Sequence, residues 1–445
     1  MPNSLLGPSD AAALFCIVLI FLIPFAAAGI ALINTGLGRS RSAAHTMMCS
    51  LCVFSVAAVA FFVCGFAWQG FAGGPAHVAL VHGKEWSWIG AQPFLLRRLT
   101  AGGWPALSTA LFGLLSVGVA AVIPVGSGVD RWRLGASCIS AFLLAALTYP
   151  VFAHWVWGGG WLAQIGANYG LGYGFVDVGG ASTIQVVGGL TALSIAWILG
   201  PRHGKYTQDG MPGAIPGHNS VLVLFGCMLA MLGWLGLNGA GAILFNGLAP
   251  AVSILIAINT VLAAAAAALT AAIITHTRFG KPDASLTANG WIGGLAASGG
   301  ACAFVQPAEA VVIGAVAGIL VTLSVEWFEL RMSVDDPCGS ISAHGVGGLW
   351  GVLSVGLLAT IPAAGLEVSA TRAPGHPGQL VAQLVGIATL IGFVLPLTYA
   401  LNWTLDRLWR QRVAVEGERQ GMDLYELGAG AYPESVTHAD EFTEP

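Results

Sequence analysis

The chain has 445 residues, of which 56% are hydrophobic and only 9% are charged, and its formal net charge is −4. Soluble globular domains carry about a quarter of charged residues, so this composition excludes a water-soluble domain. The small net charge gives no reason to expect a nucleic-acid partner.

Eleven apolar stretches follow one another along the chain, each close to the roughly 20 residues that a helix needs to cross a bilayer. They lie at about 11–34, 46–69, 104–126, 134–157, 178–200, 219–241, 248–275, 286–304, 307–328, 341–362 and 378–402. The sequence therefore predicts an all-α membrane protein with 11 transmembrane helices. A transmembrane domain spans 1–402, and a polar tail follows at 403–445. Residues 1–10 lack a basic region and a clear cleavage site, so the first stretch is predicted to be a true span, with a cleaved signal as the alternative.

Basic residues lie asymmetrically around these stretches. An N-terminus outside the cell places most of the 17 lysines and arginines in the cytoplasm, and the exceptions are Lys84, Arg97, Arg98 and Arg372. This bias predicts that the N-terminus is outside and the C-terminus inside. A multi-pass protein of the cell inner (cytoplasmic) membrane, surrounded by lipid, is expected.

One short pattern occurs twice, each time at the start of an apolar stretch. The copies begin at Asp177 and Asp336, and their eighth-place polar residues are Gln185 and His344. Each aspartate is suited to cap a helix, and eight residues at about 1.5 Å each reach roughly 12 Å into the membrane. Because the copies enter from opposite faces of a core about 30 Å thick, Gln185 and His344 are expected to meet near its middle. This arrangement is typical of an inverted repeat, here of helices 1–5 and 6–10.

An aromatic stretch, YPVFAHWVWGGG at 149–160, ends the fourth apolar segment. Aromatic residues at a membrane interface commonly act as anchors. They can also form a wall whose π faces attract a cation. The density of tryptophan and glycine favours the second role for at least one tryptophan.

A histidine inside the membrane is a functional candidate by default, and the alternative for His344 is a packing histidine bonded to a neighbouring helix. Gln185 can donate and accept hydrogen bonds but cannot carry a proton as imidazole does. His344 has no nucleophile or metal partner at a usable spacing, and the eight cysteines fall mostly in apolar runs. We therefore expect neither an enzyme nor a bound metal or cofactor.

Several stretches together resemble the Amt/Mep/Rh family of ammonium transporters. They are YPVFAHWVWGGG (149–160), GWLGLNGAG (233–241), GKP (280–282), GMDLYELGAGAY (421–432) and the two aspartate-led copies, including DDPCGSISAHGVGG (335–348). The resemblance implies a homotrimer with 11 helices and one narrow pore per subunit. It also implies an outer cation site, a gate of two phenylalanines, a central histidine pair and a PII-type regulatory protein at the cytoplasmic face.

The family pattern assigns some residues directly. Trp157 matches the outer-site tryptophan and His344 the second pore histidine, and the outer-end acid falls on Asp177. The neighbouring candidates for the outer vestibule are Tyr149, Trp155 and Trp234.

Elsewhere the family pattern is broken. The first pore histidine is replaced by Gln185, and the outer-site serine falls on Gly241. One gate phenylalanine falls on Leu237 and the other on Ser116, with Phe112 one turn away. These changes remove aromatic bulk, a hydrogen-bond acceptor and a proton relay along one path, so the pore is expected to be altered in substrate or in activity.

The sequence predicts transport of ammonium or a close amine through this non-standard pore. One alternative is a binder or transporter of a larger organic amine such as a polyamine, because the gate aromatics are missing. Another is a receptor that binds ammonium without conducting it.

Overall fold

The computed structural model describes residues 8–361 and 378–432, and most of these residues are helical. The helices are α1 Pro8–Ile20, α2 Pro24–Leu37, α3 Ala43–Ala60, α4 Phe66–Gln69, α5 Gly103–Gly128, α6 Leu134–Leu143, α7 Tyr149–Val156, α8 Trp161–Tyr169, α9 Val187–Leu199, α10 Ser220–Asn246, α11 Ser253–Phe279, α12 Ala284–Ala301, α13 Pro307–Met332, α14 Gly347–Leu358, α15 Gln379–Thr389, α16 Leu395–Leu408 and α17 Val415–Gln420. Strands β1 Ala76–Val81 and β2 Lys84–Gly90 form an antiparallel hairpin between α4 and α5. Arg372 and the acidic end of the tail lie outside the described residues.

Ten helical stretches within the described ranges are long and apolar enough to cross a membrane. They match ten of the 11 predicted segments, and several continue across a π-helical turn or a short break. The remaining predicted segment, 286–304, is helix α12, which is rich in glycine and alanine. It packs against α10, α11, α13 and α14. This interior position explains why α12 lacks the large apolar side chains that face lipid elsewhere.

The two aspartate-led copies adopt similar local structures. Each begins with a π-helical turn, at Ala181–Val186 and Ile341–Val346, which leads into α9 and α14 respectively. The Asp177 carboxylate accepts hydrogen bonds from four backbone N–H groups at 2.8–3.0 Å. The Asp336 carboxylate accepts from one backbone N–H and from a serine hydroxyl, both at 2.7 Å. Both aspartates thus bond the start of a helix, as a capping residue does.

Glycines allow these two helices to cross in close contact. A Cβ atom at Gly189 would collide with the backbone of Gly345, and one at Gly348 would collide with the carbonyl oxygen of Ala181. The paired glycines of the repeated pattern therefore bring the backbones together, as the sequence predicted.

A buried ion network lies at one end of the bundle, which we call the basic end; the β1–β2 hairpin marks the other, the hairpin end. The Arg202 guanidinium makes two bonds to the Asp335 carboxylate, at 2.9 and 3.0 Å, and one to Asp130 at 3.0 Å. Arg131 donates to the backbone carbonyl of Asp335 at 2.8 Å. Burial raises the pKa of Asp335, but the charges of Arg131 and Arg202 outweigh it and lower this pKa to about 2. The network ties together the loops that follow α5, α9 and α13.

We expect the substitution Asp335→Asn to destabilise the protein by about 3–5 kcal/mol, because it leaves buried guanidinium groups without their counter-charge. The measurement is thermal unfolding in detergent at pH 7, with Asp209→Asn, in an exposed loop, as the control. The pKa of Asp335 is lowered in the fold, so its contribution is present above about pH 4 and is lost as the pH falls towards 2. The difference in unfolding temperature between wild type and variant should be smaller at pH 3 than at pH 7. Equal unfolding temperatures at pH 7 would contradict the stabilising role given to Asp335.

Candidate functional site

The structure brings together the two polar residues of the repeated pattern. Gln185 lies in the π-helical turn before α9, and His344 lies in the one before α14. The Gln185 Oε1 and His344 Nδ1 atoms are 2.7 Å apart, and both residues are buried. A π-helical turn changes the direction of the side chains it carries and is common at functional sites. The expected meeting of these two residues is therefore present in the fold.

This hydrogen bond decides which atoms of the pair remain available. With the amide oxygen facing the ring, His344 donates from Nδ1 and its Nε2 is left as an acceptor. The Gln185 Nε2 is buried and makes no hydrogen bond to any part of the chain that the structure describes. The Trp234 ring is inclined by 28° to the imidazole, with 6.3 Å between ring centroids. The pair thus leaves one donor and one acceptor beside an aromatic ring.

Three aromatic rings form a second cluster, which we call the aromatic cluster: Phe112, Trp157 and Phe245. The Phe245 ring stacks on Trp157 with centroids 4.3 Å apart and an angle of 5°. Phe112 meets both rings edge-on, at 5.6 Å from Trp157 and 5.1 Å from Phe245. The Trp157 Nε1 donates to the backbone carbonyl of Asp177 at 2.8 Å, and this hydrogen bond fixes the orientation of the Trp157 ring.

Sequence reasoning missed Phe245. It lies four residues after Gly241, in the last turn of α10. Residues four apart share a helix face, so the signal was available once Gly241 had been singled out.

The predicted gate positions Ser116 and Leu237 are both fully buried. The Ser116 Oγ and Tyr149 Oη atoms are 2.8 Å apart, so Tyr149 lies directly against the serine. Next to Leu237, the Asn238 side chain donates to hydroxyl groups on α11 and α12 at 2.8 and 3.0 Å. Neither of these two positions carries an aromatic ring, but the ring of Tyr149 lies beside Ser116.

Two of the predicted vestibule residues have other partners. The Asp177 carboxylate is occupied by the helix start it caps. The Trp155 Nε1 donates to the carbonyl oxygen of Trp88 in β2 at 2.7 Å, and its ring lies 4.7 Å from Phe393. Trp155 thus belongs to a different group of rings from Trp157, and it ties the hairpin to α7. The segment after Trp157 contains helix α8.

A small cavity of about 140 Å³ lies at the basic end, at the start of the second repeated copy. Its lining includes Asp336, Ser342, Arg202 and Lys205. Ser342 precedes His344 by two residues, so this cavity lies on the side of the central pair that faces the basic end. Within the described part of the chain, no group of three or more histidine, cysteine, aspartate or glutamate side chains could hold a metal ion.

At position 241 the backbone leaves no room for a side chain. A Cβ atom there would collide with the carbonyl oxygen of Val178, which follows Asp177 in the chain. Helix α10 therefore approaches the start of the first copy more closely than a serine would allow, and the missing hydroxyl is linked to this packing.

We expect Gly241→Ala to lower the free energy of unfolding by about 1–3 kcal/mol, because overpacking forces backbone shifts. The control is Gly392→Ala, where no atom lies within 4 Å of an added Cβ. Thermal unfolding in detergent measures both variants. An unchanged unfolding temperature for Gly241→Ala would show that α10 can move away from Val178 at little cost.

Comparison with known proteins places this geometry in a family. The profile of the Ammonium Transporter Family matches residues 14–432, which confirms the resemblance found in the motifs. The chain is 36% identical over 429 residues to the ammonium transporter Amt2 of Archaeoglobus fulgidus, covering 94% of this chain and 87% of that protein. It is 28% identical to an ammonium transporter of Bacillus subtilis, covering 95% and 98% of the two chains.

Solved structures agree in fold. A protein described as "Sensor Amt Protein" is 27% identical, has a TM-score of 0.82, and covers 93% of this chain and 98% of its own. Mep2 of Candida albicans is 25% identical with a TM-score of 0.76, covering 96% of this chain and 91% of its own.

Proposed function

The chain belongs to the ammonium transporter family, and on this premise we propose that it carries ammonium across the cytoplasmic membrane through a pore in each subunit of a homotrimer. Members of this family are transporters and not enzymes, in agreement with the expectation from the sequence. In the proposed arrangement α12 is the eighth of 11 spans, the N-terminus is outside, and the basic end faces the cytoplasm. The observation that carries the proposal is the buried hydrogen bond between Gln185 and His344.

Entry begins at the aromatic cluster, where the face of Trp157 attracts a cation. Phe245 already covers that face at 4.3 Å, so a cation reaches Trp157 there only when Phe245 moves aside. Gly247, which follows α10 with φ of 61°, gives the chain beyond Phe245 a turn rather than a continuing helix. Phe245 is therefore the proposed gate, in place of the rings that positions 116 and 237 lack.

Passage depends on the central pair. Burial disfavours the charged form of an amine, so ammonium gives its proton to water on the outer side before it reaches the centre, and ammonia takes a proton from water again on the cytoplasmic side. Neutral ammonia can then donate to the His344 Nε2 and accept from the Gln185 Nε2, the two atoms that the pair leaves free. Exit follows through the cavity lined by Asp336 and Ser342. Because an amide cannot relay a proton, this pore is proposed to move little charge with each ammonia.

A larger organic amine is less well supported than ammonium. That alternative was motivated by the loss of aromatic bulk at positions 116 and 237. Phe245 stacks on Trp157, and Tyr149 lies against Ser116, so bulky rings occupy the region where a long amine would need space.

A receptor role remains a second candidate, because one protein of similar fold is described as a sensor. The two functions differ in one measurable quantity, which is ammonium flux through the reconstituted protein. Binding of a PII-type protein at the cytoplasmic face is part of the proposal by family resemblance alone.

We expect the wild-type protein in proteoliposomes to take up ammonium with little current, and Gln185→His to add a clear ammonium-dependent current. The substitution replaces an amide by a second imidazole that can pass a proton. Flux is measured by an internal pH dye, and current on a solid-supported membrane.

The matched control is Gln185→Leu, which removes the bond to His344 without adding a titratable group and should add no current. A wild-type current as large as that of Gln185→His would overturn the role given to Gln185. Absence of wild-type flux with retained ammonium binding would favour the receptor.

We expect Phe245→Ala to raise the uptake of methylammonium relative to ammonium by roughly two- to tenfold, the range that corresponds to losing one aromatic pair. The control is Phe225→Ala, on the same helix but 59% exposed on the outside of the bundle. Competition uptake with labelled methylammonium gives the ratio. An equal ratio in both variants would show that Phe245 does not gate the pore.

A further inference from the structure

The tail beyond α16 docks on the basic end through its backbone. The Arg133 N–H donates to the carbonyl of Gln411 at 3.0 Å, and the Val413 N–H donates to the carbonyl of Arg131 at 2.9 Å. Two carboxylates further along the tail bond the helix starts of the bundle: Asp423 accepts from the His45 N–H and Glu426 from the Leu134 N–H, both at 2.8 Å. The tail is thus held along one strip by a few specific bonds.

This docking forms an open pocket of about 550 Å³, which we call the tail pocket. Its walls come from two parts of the chain: the bundle supplies Arg133 and His203, and the tail supplies Arg410, Arg412, Glu416 and Tyr425. Docking therefore brings three guanidinium groups and an imidazole around one space, with a single carboxylate facing them.

The nearby carboxylates outside the pocket lining are already committed. Glu418, whose side chain is 1% exposed, accepts from Arg412 at 2.8 Å and from the His203 backbone N–H. Glu426 accepts a hydrogen bond from His45 at 2.8 Å, and its second oxygen atom lies 3.7 Å from the Arg133 Nε in a longer ion pair. Arg410 makes no hydrogen bond or ion pair within residues 8–361 and 378–432. The Arg410 guanidinium thus faces the pocket without a protein partner in the described residues, beside two further arginines, and this favours an anion there.

We propose that the tail pocket binds a phosphate-bearing anion and that this binding stabilises the docked tail. Guanidinium forks match the geometry of phosphate oxygens and form charge-assisted hydrogen bonds with them. The cavity has the volume of a small-molecule site. Because bundle and tail each supply part of the wall, the anion binds the docked state and shifts the chain towards it.

Two sources can supply this chemistry: a soluble phosphate compound or the head group of an anionic phospholipid. Trp403 and Trp409 are 45% and 41% exposed at the end of α16, next to Arg410. Exposed tryptophans are enriched at the level of lipid head groups, so a head group could reach the pocket from the side.

The test measures binding of pyrophosphate to the full-length protein in a neutral detergent by calorimetry, and of phosphatidylglycerol against phosphatidylcholine by native mass spectrometry. Arg410→Gln should lower the affinity for whichever anion binds by roughly tenfold or more, as expected for a lost charge-assisted hydrogen bond. Arg331→Gln, which changes an exposed arginine at the end of α13 outside the pocket, is the matched control and should leave binding unchanged.

A second variant is needed because Arg410→Gln could also weaken binding by disrupting the fold of the tail. Glu416→Gln removes the one carboxylate in the pocket and should tighten binding of the same anion. Binding of pyrophosphate identifies a soluble ligand, and a preference for phosphatidylglycerol alone identifies a lipid head group. If neither probe binds, if Arg331→Gln weakens binding as much as Arg410→Gln, or if Glu416→Gln does not tighten it, the proposal is overturned.

Discussion

The interior of this bundle is organised by one hydrogen bond between two buried side chains, Gln185 and His344. A buried amide and a buried imidazole are costly in an apolar interior unless they satisfy each other. At 2.7 Å they satisfy one polar atom of each side chain, and glycines make this possible because they let α9 and α14 cross with their backbones in contact. The aspartates that cap the two helix starts hold the pair at that crossing. The glycines, the capping aspartates and the polar pair therefore depend on one another: the glycines allow the close crossing, and the aspartates fix the helix starts that carry the pair.

In the proposed pore, a different set of aromatic rings narrows the passage from the set that the family pattern predicts. Ser116 and Leu237 lack rings, yet Phe245 lies flat on Trp157 and Phe112 closes the edge. The stacking face that attracts a cation is also the face that a neighbouring ring covers most favourably. In the proposed pore, attraction and exclusion therefore act at the same surface of Trp157, and movement of the Phe245 side chain at the end of α10 controls access to it.

Much of this could be predicted from the sequence, and the exceptions have physical causes. The apolar stretches correctly predicted ten membrane-spanning helices, because the length and hydrophobicity of a stretch can be read from neighbouring residues alone. The meeting of Gln185 and His344 followed from two equal offsets in a repeated pattern. Phe245 and the separate position of Trp155 could not be predicted in the same way, because ring contacts depend on how distant helices pack. The collision that a side chain at Gly241 would make with Val178 also depends on distant backbone, so the sequence could not show it.

The glycine- and alanine-rich composition of helix α12 affects the order in which the helices assemble in the membrane. Its glycine- and alanine-rich surface gains little from contact with lipid, and its favourable contacts are with α10, α11, α13 and α14. A segment of this kind is held in a bilayer by protein neighbours more than by its own hydrophobicity. Two of these neighbours, α13 and α14, follow it in the chain, so α12 reaches its final surroundings only after later segments have been synthesised. Assembly of the second half of the bundle is therefore a collective event, and not the addition of one independent helix after another.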